Sequence, residues 1–108
     1  MKTEALEIDL GVAGDRVVFD TGGSDAATIQ LAIADGAAFP TSTTTLRRSN
    51  DGHTFHALDT PATLTAEGMS ARINTGGFRF LAAEVTTAAS ARQRAIVTCH
   101  HERTDDGA

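Results

Sequence analysis

Thr28-Ile29-Gln30-Leu31-Ala32-Ile33 is the most regular stretch of this chain. Ile29, Leu31 and Ile33 recur at every second position, with smaller or polar side chains between them. In extended backbone, where successive side chains point to opposite faces, the three line one side and can be buried together. At helical spacing they would be scattered around the surface. The segment therefore reads as a half-buried strand, and the runs on either side repeat its period.

Upstream, Leu6, Ile8 and Leu10 alternate with Glu7 and Asp9 to give a first strand. After Gly11 and Gly14, Arg16-Val17-Val18-Phe19 makes a second short run that stops at Thr21-Gly22-Gly23. Downstream, 34–40 breaks the pattern, and Pro40 cannot sit in a central ladder. Thr43 to Arg48 and Thr54 to Leu58 flank Ser49-Asn50-Asp51-Gly52, where Asp-Gly between two β-like runs predicts a hairpin turn. Beyond Pro61, Thr63-Leu64-Thr65 extends, Glu67-Gly68 turns the chain, and Ser70 to Asn74 extends again before a second Thr-Gly-Gly at 75–77. In the run from Phe78 to Thr87, Phe80 and Ala82 fall on one side and Leu81, Ala83 and Val85 on the other, as in a strand covered on both faces. Arg92 to Cys99 reads as a final central strand. Ala88-Ala89-Ser90-Ala91 is too short, and too closely flanked by Thr, to make a helix. The expectation is an all-β chain, an antiparallel β-sandwich or jelly roll of about eight short strands. It forms one domain over 1–108, in which 100–108 is a polar C-terminal tail.

The 108 residues carry 9 Lys+Arg against 14 Asp+Glu, a net charge of -5. That balance argues against nucleic acid and against a membrane surface as partners, since both are met by clustered cations. Ala (19) and Thr (16) make up almost a third of the chain, so much of the apolar content is methyl-sized and the core is expected to be thin. Such a domain should lean on partners. Cys99 is the single cysteine; it cannot form an internal disulfide and reads as a small buried hydrophobe in a reducing compartment. No run is apolar for long enough to span a bilayer or to form the centre of a secretory signal, which suggests synthesis in a cytoplasm.

The patterns that could carry chemistry are sparse. His53-x-x-His56 and Cys99-His100-His101 have metal-like spacing, but residues three apart on a strand face opposite ways, and nothing in the spacing joins the two groups into a tetrahedral set. A triad can be written from Ser49 or Ser70, His53 or His56, and Asp51 or Asp59, yet the Gly-x-Ser-x-Gly elbow is missing. Asp15, Asp20 and Asp25 lack the Asp-x-Asp-x-Asp-Gly wrap of a calcium loop. Gly11-x-x-Gly14 lacks the Gly-Lys-Thr/Ser of a phosphate loop. The five Phe residues, 19, 39, 55, 78 and 80, are expected in the core. The reading is a non-enzymatic protein with no catalytic residues, no metal and no cofactor.

One resemblance follows from the order of these pieces. Ile29-Gln30-Leu31, then Arg48-Ser49-Asn50-Asp51-Gly52-His53-Thr54-Phe55-His56-Ala57-Leu58, then Thr63 to Gly68, then Phe78-Arg79-Phe80-Leu81 through Val85-Thr86-Thr87-Ala88, resembles small β-sandwich virion accessory proteins of tailed bacteriophages. The likeness covers roughly 27–99. It implies a capsid decoration or cement protein on the capsid exterior, bound to the major capsid protein and associated as a homo-oligomer, with a trimer favoured. The alternative it leaves open is a tail or head-fibre module that binds a host-surface glycan or receptor, although Phe55 stands where Trp is common in sugar-binding relatives. Exposure nominates three contact segments: the N-terminal segment with Glu4 and Glu7, the hairpin with Ser49, Asn50, Asp51 and His53, and the tail with His100, His101, Glu102 and Arg103.

Overall fold

Every run of alternating or β-branched residues becomes a strand in the computed structural model, which describes residues 2–22, 26–34, 36, 38–58, 62–66, 70–74 and 78–102. Among them are nine strands and no helix: β1 (Lys2–Asp9), β2 (Arg16–Asp20), β3 (Ala26–Ile33), β4 (Thr43–Ser49), β5 (His56–Ala57), β6 (Thr63–Leu64), β7 (Ser70–Asn74), β8 (Phe80–Thr87) and β9 (Arg94–Glu102). They form two antiparallel sheets. One has the order β1-β9-β3-β7; the other has the order β2-β8-β4-β5, with β6 also paired to β4. The expected Gly68 and Gly76-Gly77 turns, Pro61, Asp25, Asp59 and residues 103–108 lie outside the described residues.

Alternation sets what each sheet buries. Ile29 and Leu31 of β3, Val97 and Cys99 of β9 and Ile8 of β1 face Phe19 of β2, Leu46 of β4 and Leu81, Ala83 and Val85 of β8 across a dry interior. A fully buried Leu or Ile such as Leu31 contributes about 1.5–3 kcal/mol relative to an exposed one, so this layer holds the two sheets together. Ala83 and Ala95 are fully buried beside these larger residues, as the methyl-rich composition suggests. Ala82 lies on the outer side of β8 and is nonetheless fully buried, so β8 is covered on both faces.

Several sequence-based expectations change. β9 does not end at Cys99: β1 begins at Lys2 and β3 at Ala26, and both supply ladder partners out to His101. His100, His101 and Glu102 therefore belong to a central strand and not to a tail, and His101 is completely buried. Leu6 shares the inner face of β1 with Ile8 yet stays 37% exposed, because β1 is an edge strand and its apolar row has no neighbour on that side among the described residues. Of the five Phe residues, Phe19 is in the core and Phe39 packs against it, whereas Phe55, Phe78 and Phe80 lie outside that cluster. The Asp-Gly turn is also longer than a two-residue hairpin. β4 stops at Ser49, β5 starts at His56, and Arg48 pairs with His56. Gly52 takes φ 77 in the loop between them, a conformation that favours glycine.

Candidate binding surface

Loop 50–55 is built by its own polar groups. Ser49 is fully buried; its Oγ donates to Asp51 Oδ1 (2.8 Å) and accepts from the backbone N–H of Gly52 (3.0 Å). Asp51 Oδ1 also accepts from the N–H groups of His53 and Thr54, each at 2.8 Å. These backbone donors, Thr54 first, hold the Asp51 carboxyl far below the usual carboxylate range. Asn50 Oδ1 accepts a 3.4 Å hydrogen bond from the N–H of Arg79. His53 is exposed. Ser49, Asn50 and Asp51 thus shape the loop, and their polar groups are spent largely inside it.

So shaped, the loop turns over the outer face of the β2-β8-β4-β5 sheet. A Cβ at Gly52 would sit 3.5 Å from the Phe80 ring, and Phe55 reaches the edge strand, where the Arg16 guanidinium lies 4.2 Å from its ring centroid. On this face Ala82 sits in the ladder between Val18 and Arg47 and is fully buried. Register places Arg16 opposite Glu84, and Arg47 opposite Ala82. The two guanidinium groups converge on one carboxylate, with Arg16 Nη1 3.7 Å and Arg47 Nε 3.8 Å from Glu84 Oε1. Nearby, Arg79 grips Asp20 through Nη2 (3.0 Å) and Nε (3.3 Å), whereas Arg48, which has the parity of the buried Thr44 and Leu46 in β4, lies 4.4 Å over Phe78. The outer face thus gathers Arg16 and Arg47 beside the Phe55 ring in a chain of net charge -5.

The other predicted contact residues lie on the opposite sheet. Glu4 points to the inner side of β1, with Oε1 3.9 Å from His101 Nε2. Glu7 pairs with Arg94 at 2.6 Å. His100 points outward and shares a 2.7 Å hydrogen bond between its Nδ1 and Thr3 Oγ1. Glu102 is in the β9 ladder opposite Ala26, and Arg103 lies outside the described residues. The N-terminal and C-terminal candidates are therefore neighbours in one sheet, while the loop candidates belong to the other. Sequence reasoning missed Arg16, Arg47, Phe55 and Glu84 as a group. The outward parity of Arg16, Glu84 and Arg47 on β2, β8 and β4 was readable, but only the register and the loop that carries Phe55 bring the four together.

Two chemical candidates resolve into structural roles. Cys99 and His101 face the interior while His100 faces out, so the three adjacent side chains do not converge; burial, with Glu4 nearby, pushes the Cys99 thiol up to about 12. Asp15 and Asp20 accept hydrogen bonds from backbone amides of the turns at Asp9, Arg16 and Gly22. Among the described residues no group of three or more His, Cys, Asp or Glu side chains is gathered as a metal ion requires. A depression of about 420 Å³, lined by Phe39 to Thr43 with Thr65 and Ala66, offers hydroxyl groups and no charged side chain.

No protein-family model matches the chain, and neither does any curated protein. Among solved structures it is similar to CBM32 of AlyQ in complex with 4,5-unsaturated mannuronic acid, with a TM-score of 0.61 and 17% identity over 89% of this chain and 78% of that one. It is also similar to the SPBc2 prophage-derived protein YomS, with a TM-score of 0.53 and 9% identity over 92% of this chain and 96% of that one. A third likeness is to CpGH89CBM32-5 from Clostridium perfringens in complex with GalNAc-beta-1,3-galactose, with a TM-score of 0.50 and 12% identity over 79% of this chain and 65% of that one. The neighbours are mainly binding or structural domains. At these identities the likeness establishes the architecture alone: the chain is a β-sandwich.

Proposed function

We propose that the chain is a non-enzymatic structural protein of a tailed-bacteriophage virion, a decoration or cement protein that binds the major capsid protein on the outside of the head. The observation that carries this reading is the flank on which β1 and β2 lie against each other, one from each sheet. Each is paired with a single strand among the described residues, and Leu6 is 37% exposed there. An eight-residue edge without proline presents unpaired backbone donors and acceptors that favour association with another chain. The prophage origin of YomS supports the viral part of the reading. Copies associate as trimers and straddle joints between capsid subunits, where modest affinity per copy adds up through multivalency.

A second reading has an observation of its own, since two fold neighbours hold sugars: a tail or head-fibre module that binds a host-surface glycan. Cosedimentation of the purified chain with intact and undecorated capsids, alongside its mass by light scattering, separates the two. Saturable capsid binding by an oligomer is the expected result, and Leu6→Glu should weaken the oligomer. A monomer that ignores capsids and is retained by host-surface glycan would replace decoration with the second reading.

A further inference from the structure

The pair Arg16 and Arg47 is charged beyond what its own surroundings neutralise. One carboxylate, Glu84, serves both guanidinium groups, at 3.7 Å and 3.8 Å, beyond ordinary hydrogen-bond length. Arg47 Nε is shielded from water and has no hydrogen-bond partner among the described residues. A guanidinium carries five N–H donors in a fixed fork suited to a carboxylate, so two of them around one carboxylate leave donors and one positive charge unspent. Both side chains are about one-third exposed, at 37% and 32%, so an incoming group can reach them. Phe55 stacks on Arg16 and limits the conformations of that side chain, which reduces the entropy lost when a ligand binds.

The neighbouring backbone points to the form of the ligand. Arg16 starts β2, and β2 pairs with β8 on one side and with no strand on the other among the described residues. An extended chain that adds to this free edge gains main-chain hydrogen bonds and sends every second side chain onto the outer face, beside Arg16. We infer that the outer face at Arg16 and Arg47, with the β2 edge, is a docking surface for an acidic, extended polypeptide segment of a protein partner. The inference rests on the protein-partner reading above and supplies the partner's chemistry. Glu84 occupies the position that the partner's carboxylate shares or takes over.

The test is titration of the full 15N-labelled chain at low salt with poly-L-glutamate, and separately with a polyuronate, followed by amide shifts. Poly-L-glutamate should move the amides of 16–20, 47 and 84 and lose affinity as salt rises. Arg16→Gln and Arg47→Gln should each weaken binding about tenfold, as expected for a lost charge-assisted hydrogen bond. Glu84→Gln should strengthen it, because the internal competitor is gone; a merely structural role for the cluster would not produce that gain. The control Arg94→Gln, on the other sheet, should leave affinity unchanged. Absence of shifts on this face, equal loss with Arg94→Gln, or binding of polyuronate in place of poly-L-glutamate would each overturn the inference. Cosedimentation of the double variant R16Q/R47Q keeps the two readings apart. Undiminished capsid binding by that variant ends the docking inference and leaves decoration standing. Poly-L-glutamate binding by a wild-type chain that ignores capsids does the reverse.

Discussion

Arg16 of β2 and Phe55 of the loop after β4 are stacked, with the guanidinium carbon 4.2 Å from the ring centroid, so the loop is tied down two strands away from where it leaves the sheet. A half-exposed cation–π contact of this kind is worth about 0.5–1 kcal/mol. A double-mutant cycle of Phe55→Leu and Arg16→Gln, measured by denaturant unfolding, should return a coupling of about that size. Phe55→Ala should cost more than Phe55→Leu, because it also removes more packed apolar surface. Additive single effects would show that the loop is held by other contacts.

Gly11 tests a different junction. The Asp9 carboxylate accepts hydrogen bonds from Arg92 Nε (2.8 Å) and from the N–H groups of Gly11 (2.9 Å) and Gln93 (3.1 Å), drawing the β1–β2 connection onto the β8–β9 connection. A Cβ at Gly11 would lie 2.4 Å from the Ala91 carbonyl oxygen and 2.5 Å from the Arg92 Cα. Backbone atoms on both sides cannot step aside as a side chain would. Gly11→Ala should therefore destabilise the fold by roughly 1–3 kcal/mol, read from the shift in denaturant midpoint.

Cys99 should behave as a reporter of unfolding. The thiol is fully buried, and burial first, Glu4 second, raises it from 9.0 to about 12. In the native state it keeps its proton between those values, while the unfolded chain loses it, so stability falls as pH rises above about 9. The limiting slope is about 1.4 kcal/mol per pH unit. Replacement by Ala should flatten that part of the alkaline profile. A thiol reagent at neutral pH should label the wild-type chain only at the rate of unfolding, and fast labelling of the folded protein would contradict the burial.

Asp51 gives the opposite sign. Its carboxyl is held below the unfolded value of 3.8 by the amides of Thr54 and His53 and by Ser49, so its contribution is complete above that pH and is lost as pH falls through and below it. Protection of the His53 and Thr54 amides against hydrogen exchange, taken relative to the intrinsic rate at each pH, should fall below about pH 4, once unfolded-state protonation begins. Asp51→Asn keeps an acceptor oxygen without the titrating charge, and its loop should open to an extent that no longer changes with acid.

The strands were legible because their cause is local: Ile29, Leu31 and Ile33 alternate in the sequence, and alternation alone selects the buried face. The same parity correctly put Leu81, Ala83 and Val85 opposite Phe80 and Ala82. What parity cannot supply is register. His101 is polar, and only the partners offered by Lys2 and Ala27 carry the strand on and bury it. Phe55, Phe78 and Phe80 were assigned to the core by hydrophobicity, yet guanidinium groups cover them: Arg16 and Arg48, from strands distant in sequence, lie over Phe55 and Phe78, and the adjacent Arg79 lies over Phe80. The candidate surface shares this origin, since Arg16 and Arg47 meet at Glu84 only after three strands have aligned.

β9 is the last strand among the described residues and lies between β1 and β3. During synthesis the first eight-residue strand therefore emerges with no neighbour in its sheet, and β3 has only β7 until residues 94–102 have been made. That sheet cannot close before β9 has left the ribosome. Its pairing spans almost the whole chain, as between Lys2 and His101, and contacts of such long sequence separation make folding slow, on the order of milliseconds to seconds. In that interval the Leu6 and Ile8 edge is open to other copies, so the competition between folding and assembly begins before the sheet is complete.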